Sequence, residues 1–167
     1  MCWVPGGSGG EMVHALKYGG WMALAEPMAR QMSRLGFPRD VVEERSLLVP
    51  VPLAQSRRRE RGFNQSEELA RELGLIWGLP IVSALSRGRS TGTQTRLTPG
   101  DRLRNVAGAF ATVIDSGRLA GSHVVLVDDV VTTAATLNAC AKALHEGGAR
   151  IISYVTFGRA RAAGDIP

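Results

Sequence analysis

Cysteine is scarce in this chain: Cys2 and Cys140 are the only two, they stand far apart, and neither belongs to a CxxC. No zinc site and no disulfide framework can be argued from them. Cys140 falls on the apolar face of a helix-forming stretch and reads as a small buried hydrophobe. Long apolar runs are missing too. No stretch of about 18 apolar residues occurs, and the first residues show no basic segment followed by an apolar one, so neither a membrane span nor a signal peptide is predicted. The expected location is cytoplasmic. Aromatic residues make up only 5% of the chain, which argues against the stacking platforms that single-strand nucleic-acid binders combine with cations. Lysine is the rare cation: 2 Lys stand against 18 Arg, at a net charge of +5. Arginine forks suit phosphate geometry, which permits an anionic ligand or a nucleic acid without choosing between them. His14, His123 and His145 have no spacing that suggests metal ligation or a nucleophile pair. No GxxxxGKS or GxxxxGKT loop occurs, which excludes a P-loop nucleotide site.

What the chain does have is one concentrated stretch, Val124-Val125-Leu126-Val127-Asp128-Asp129-Val130-Val131-Thr132-Thr133-Ala134-Ala135-Thr136-Leu137. The unbroken apolar run predicts a parallel strand covered on both faces. Two carboxylates end it, a threonine-rich turn follows, and Ala134, Ala135, Leu137, Ala139, Ala141 and Leu144 supply a helix of high intrinsic propensity. Unpaired N–H groups at that helix start, its dipole and the hydroxyls of Thr132, Thr133 and Thr136 converge on an anion, best read as a phosphate. Asp128 and Asp129 cannot bind phosphate, but they can accept hydrogen bonds from sugar hydroxyls or hold Mg²⁺. A phosphorylated ribose satisfies both halves.

The remaining pattern is that of one domain over residues 11–167, with 1–10, which contain four Gly, one Pro and one Ser, expected as a disordered or trimmed end. A helix is predicted around Met12, Val13, Leu16 and Lys17, interrupted by Gly19-Gly20, and a second from Trp21 to Leu35, which Pro27 kinks or divides unless it lies in a first turn. Residues 46–53, SLLVPVPL, read as a strand ended by proline. A basic loop with Arg57, Arg58, Arg59 and Arg61 follows, then a helix capped by Asn64 with Glu67 three residues on and with Leu69, Ala70, Leu73, Ile76 and Trp77 on one face. Further strands are predicted at 80–85, 108–113 and 150–157, and a long polar loop at 86–101. Five short strands interleaved with helices predict an α/β fold with a mostly parallel sheet and ligand loops at the carboxyl ends of its strands.

The stretch from Val124 to Leu137 resembles the signature of type I phosphoribosyltransferases, in which an acidic pair binds the ribose of phosphoribosyl pyrophosphate and the next loop wraps its 5′-phosphate. The resemblance then widens. VPVPL followed by RRRERGFNQSEELA, LSRGRSTGTQTRLTPGDRLRNVAGAF and VVLVDDVVTTAAT, with LKYGG before them, is similar to the ComF family of competence-associated proteins. It implies a single Rossmann-like type I phosphoribosyltransferase fold with a five-stranded sheet and flanking helices. It also implies a role in uptake of transforming DNA, with competence helicase and DNA-loading proteins as partners. Carried onto this chain, Asp128 and Asp129 take the ribose and Mg²⁺, and Thr132, Thr133, Ala134, Ala135 and Thr136 take the 5′-phosphate. Arg57, Arg58, Arg59 and Arg61 fall where the pyrophosphate is cradled, and Arg87, Arg89, Gln94 and Arg96 fall on the mobile loop. The expected ligand is phosphoribosyl pyrophosphate or a related ribose phosphate, with Mg²⁺ and without zinc.

Family members commonly begin with a zinc ribbon of paired CxxC motifs, and this sequence carries no such motif. Ala134 stands where the signature usually has glycine, so its methyl group either crowds the phosphate or resists a positive φ. Thr132 stands where purine-salvage relatives carry an acidic base, and threonine cannot serve as that base. Three readings stay open: a competence-associated module that binds the ribose phosphate, an active phosphoribosyltransferase acting on a nitrogen nucleophile, and a single-stranded DNA-binding accessory. The arginine run is also compatible with an ordinary solvated face.

Overall fold

The structure, a computed structural model, describes residues 2–4, 7–88 and 109–160. In chain order the elements are β1 (Cys2–Val4), α1 (Gly7–Tyr18), a 3₁₀ turn (Met22–Leu24), α2 (Ala25–Ser33), α3 (Arg39–Glu44), β2 (Arg45–Pro50), α4 (Gln55–Arg61) and α5 (Gln65–Trp77). They continue with β3 (Leu85–Arg87), β4 (Phe110–Thr112), a 3₁₀ turn (Ser116–Arg118), β5 (His123–Val131), α6 (Ala135–Glu146) and β6 (Ile151–Ala160). The main sheet has the order β1-β6-β5-β2 and is parallel throughout.

β5 is the centre of this sheet because its side chains are apolar on both sides. Val124 and Leu126 pack with Leu137, Cys140 and Leu144 of α6, whereas Val125 and Val127 pack with Leu16 of α1, Met28 and Met32 of α2, and Leu69 and Leu73 of α5. The alternation of strand side chains thus divides one continuous hydrophobic run between two cores. Cys140 is fully buried, and burial pushes its thiol up to about 12. Pro27 lies in the first turn of α2, where its missing N–H disturbs no helical bond. β2 and β5 run side by side with Pro50 opposite Val127, so the chain leaves both strands at the same edge of the sheet.

Several expectations change. Residues 1–10 were expected to be loose, yet Cys2–Val4 pair with Gly158–Ala160, and α1 begins at Gly7. The predicted strand at 80–85 reduces to one bridge between Ile81 and Leu48. Leu85–Arg87 pair antiparallel with Phe110–Thr112 in a separate two-stranded ribbon, so among the described residues the parallel sheet has four strands and not five. Pro80 has no N–H to give a ladder, although its carbonyl accepts from Leu48 N–H at 2.9 Å, which confines this segment to one rung. The basic stretch expected as a loop forms α4 instead. Gln, Arg and Glu are straight-chain residues with good helix propensity, and Gly62 closes the helix at φ 79°.

Candidate functional site

The carboxyl edge of β5 carries the acidic pair, and each carboxylate has its own partner. Asp128 accepts a hydrogen bond from the Ser66 hydroxyl at 2.9 Å and another from the Asp129 backbone N–H at 2.9 Å. Asp129 forms an ion pair with Lys17 in the last turn of α1, and its side chain is only 5% exposed. Burial, together with the charge of Asp129, pushes the Asp128 carboxyl up to about 7 against the opposing pull of Ser66, the Asp129 N–H and Lys17. Asp128 therefore changes charge near neutrality, unlike an ordinary surface carboxylate.

Ser66 reaches Asp128 because of how α5 starts. Asn64 accepts from Ser66 N–H at 3.1 Å as the helix cap, and its side-chain amide donates to the Val51 carbonyl at 3.0 Å. Asn64 is 1% exposed and so bolts the first turn of α5 to the chain leaving β2. The reciprocal cap expected from Glu67 does not form, because Glu67 receives both guanidinium nitrogens of Arg58 at 3.1 and 3.2 Å.

Beyond the pair, the chain turns through Thr132 and Thr133 into α6. Ala134 takes φ 56°, and no other non-glycine among the described residues has a positive φ. The methyl group does not forbid the left-handed conformation; it is carried there at a cost of about 1–2 kcal/mol. Ala134 offers no side-chain cap, and the first helical bond runs from Asn138 N–H to its carbonyl at 2.8 Å. The N–H groups of Ala135, Thr136 and Leu137 consequently precede the helical ladder and point along its axis. Asp128, Thr132, Ala134, Ala135 and Thr136 line one recess. The Asp128 carboxylate at one side and free N–H groups with hydroxyls at the other is an arrangement that takes a sugar by its hydroxyls and its phosphate by the helix start. A roomier cleft of about 310 Å³, between α1, α2 and β6, is lined by Met12, Gln31, Met32, Leu35 and Phe157 among others. It has no titratable group in its lining and is not the chemical site.

The arginines of α4 divide into two kinds. Arg58 is held by Glu67, and Arg61 donates to Gln65 at 3.0 Å and lies over the Tyr18 ring at 4.9 Å. Arg57 and Arg59 are exposed and pair with no described residue. The last turn of α1 links the two halves: Lys17 meets the acidic pair, and the adjacent Tyr18 meets α4. Arg87, expected on a mobile loop, belongs to β3 and stacks over Phe110 at 5.3 Å. Arg89, Gln94 and Arg96 lie outside the described residues.

Lys17 and Ser66 are the residues that sequence reasoning missed. Lys17 is one of only two lysines and sits in the LKYGG block; Ser66 sits at the second position after a helix cap. Those were the available signals, and neither names Asp128 or Asp129 as the partner. A divalent cation fits this pair poorly, because Asp129 already has an ammonium against it and only one oxygen of Asp128 is left open, both of its donors meeting Oδ1. Among the described residues no group of three His, Cys, Asp or Glu stands ready to hold a metal.

Residues 59–166 match the family model described as the phosphoribosyl transferase domain, and the chain belongs to that family. Among its relatives some carry the competence name that the sequence blocks suggested, and others are named DNA utilization protein. Competence protein F of Haemophilus influenzae is 35% identical over 116 residues, which cover 69% of this chain and 50% of that protein. DNA utilization protein YhgH of Salmonella typhi is 34% identical over 152 residues, 84% of this chain and 63% of that protein. Competence protein ComFC of Bacillus subtilis is 35% identical over 102 residues, 61% of this chain and 39% of that protein. The chain thus spans half of the first relative's length and under two thirds of the second's.

Proposed function

We propose that this chain binds phosphoribosyl pyrophosphate or a related ribose phosphate and serves a ComF-like role in competence, the uptake and handling of transforming DNA. The observation that carries the binding half is the recess that the Asp128 carboxylate and the uncapped start of α6 line together. In this reading the acidic pair accepts the ribose hydroxyls, and the 5′-phosphate rests on Thr132, Thr133, Thr136 and the N–H groups of Ala135 and Thr136. Arg57 and Arg59, free of described partners, meet the diphosphate. Any magnesium would be held mainly by ligand oxygens rather than by Asp128 and Asp129, since it keeps substrate oxygens in its shell.

The competence half rests on the names of the relatives, competence protein F and DNA utilization protein among them. A cytoplasmic location and association with a competence helicase and DNA-loading proteins belong to the same proposal. No described helix is long and apolar enough to cross a membrane. Turnover is a second reading. Departure of pyrophosphate would be stabilised by the α4 arginines, but Thr132 is no general base, so binding is the better supported role. A single-stranded DNA contact is favoured by one further observation: Arg61 lies over Tyr18, which is 58% exposed, and Trp21, three residues on, is 66% exposed. Cations beside exposed aromatics are the combination that holds unpaired bases.

Calorimetric titration with ribose 5-phosphate tests the binding half. Saturable binding that Asp128→Asn and Thr136→Val both weaken supports it, while heat indistinguishable from dilution at millimolar ligand removes it. Anisotropy of a labelled single-stranded oligonucleotide tests the DNA reading, which requires binding to weaken with salt and in a Tyr18→Ala, Arg61→Ala double variant.

A further inference from the structure

Lys17 forms an ion pair with Asp129 of the acidic pair, and the fold holds it there. It lies in the last turn of α1, where a positive charge opposes the helix dipole favourably. Its side chain is 19% exposed, against 5% for Asp129, so a buried carboxylate is matched by a cation that keeps some contact with solvent. Gly19, two residues on, fixes the turn: a Cβ there would lie 2.8 Å from the Ala15 carbonyl oxygen and 3.0 Å from the Trp21 ring. The helix ends at Tyr18, and Gly20 turns the chain away at φ 67°, which leaves Lys17 in its last turn. An ammonium carries three donors. One is used on Asp129, which leaves donors for a ligand oxygen.

We propose that Lys17 is the resident cation of the ribose-phosphate site: it fixes Asp129, neutralises the acidic pair and leaves it able to accept sugar hydroxyls without recruiting a divalent metal. The proposal rests on the reading of the site as one for a ribose phosphate, and it adds a specificity-determining residue to that reading. It follows that the sugar phosphate itself binds in the absence of metal. The charge that a metal would supply is part of the chain. An arginine suits this place less well, since its planar fork has a fixed spread of donors whereas an ammonium is a compact charge.

The test uses two probes on the whole chain. With Mn²⁺ alone, followed by electron paramagnetic resonance, the wild-type protein should hold no ion at the pair, whereas Lys17→Met and Lys17→Gln should acquire one that a further Asp129→Asn change removes. Mn²⁺ bound by the wild-type protein and lost in Asp129→Asn, or no gain in either neutral variant, overturns the proposal. With ribose 5-phosphate in EDTA, wild-type binding should persist and change little on adding Mg²⁺, and Lys17→Gln should weaken it about tenfold or more, with part of the loss restored by Mg²⁺. Wild-type binding seen only with Mg²⁺ overturns the proposal and leaves the ribose-phosphate reading intact. Wild-type binding in neither condition defeats that reading, and the Mn²⁺ measurement still judges Lys17. Two neutral variants are named so that poor folding of one leaves the other, with urea melts confirming a native state.

Discussion

The hydroxyl of Ser66 donates to a carboxylate oxygen of Asp128 at 2.9 Å, tying the first turn of α5 to the carboxyl edge of β5 across 62 positions of sequence. A hydrogen bond to a charged group contributes about 1.5–3 kcal/mol. Ser66→Ala should therefore lower unfolding free energy by that order in urea melts, and should raise the Asp128 titration further, because the bond favours the ionised form. A carboxyl resonance of Asp128 that titrates unchanged in Ser66→Ala would show that this bond does not set its charge.

Asp128 itself gives a pH dependence with a definite sign. Its folded-state value, raised from 3.8 to about 7, means that between those limits the folded chain holds a proton the unfolded chain has lost. Stability from this group thus falls as pH rises through that window and is flat above it, by at most about 1.4 kcal/mol per pH unit. Asp128→Asn removes the effect while keeping an oxygen for Ser66. The stability difference between variant and wild type should widen from mildly acidic to neutral pH and then level off, measured by urea melts at matched ionic strength. Ligand affinity should move oppositely, rising through neutrality as Asp128 ionises and can accept from two hydroxyls.

Ala134 is the clearest local strain, at φ 56° where glycine is the usual occupant. Ala134→Gly should raise stability by about 1 kcal/mol, as release from the left-handed conformation outweighs the added freedom of glycine in the unfolded chain. Ala134→Val should lose more than that, since a branched Cβ is worse placed there. Equal melting of the alanine and glycine proteins would contradict the strain.

Asn64 caps α5 and also donates to the Val51 carbonyl while buried. Asn64→Ala should cost about 2–3 kcal/mol, the sum of a lost cap and a buried carbonyl left without that donor. Asn64→Asp keeps the cap and loses the donor, so it should fall between the two. Thermal melts of the three proteins give the order.

The sequence was most readable where chemistry and period coincide. The run from Val124 to Val127, the acids after it and the helix from Ala135 are all found, because an unbroken apolar strand followed by alanine-rich helix has few alternative structures. Asn64 was legible as a cap for the same local reason. What failed was tertiary. Pro80 was a local sign against a full ladder over 80–85, but its single bridge to Leu48 is set by tertiary packing, and the helix propensity of Gln, Arg and Glu outweighs the charge of the stretch that forms α4. Lys17 and Asp129 are joined only by the packing of α1 against the sheet, a relation without any local signature.

The central claim is that residues 128–136 hold a ribose phosphate, and a melting-temperature titration with phosphoribosyl pyrophosphate and Mg²⁺ tests it most directly. At ligand one hundred times its dissociation constant the stabilisation is about 2.7 kcal/mol, which for a chain of this size is roughly 5 to 11 °C. Wild type should show that shift, Ala134→Gly should keep or exceed it, and Asp128→Asn with Asp129→Asn should lose it. A wild-type melting temperature that does not move at millimolar ligand, or a shift that survives removal of both carboxylates, would contradict the account.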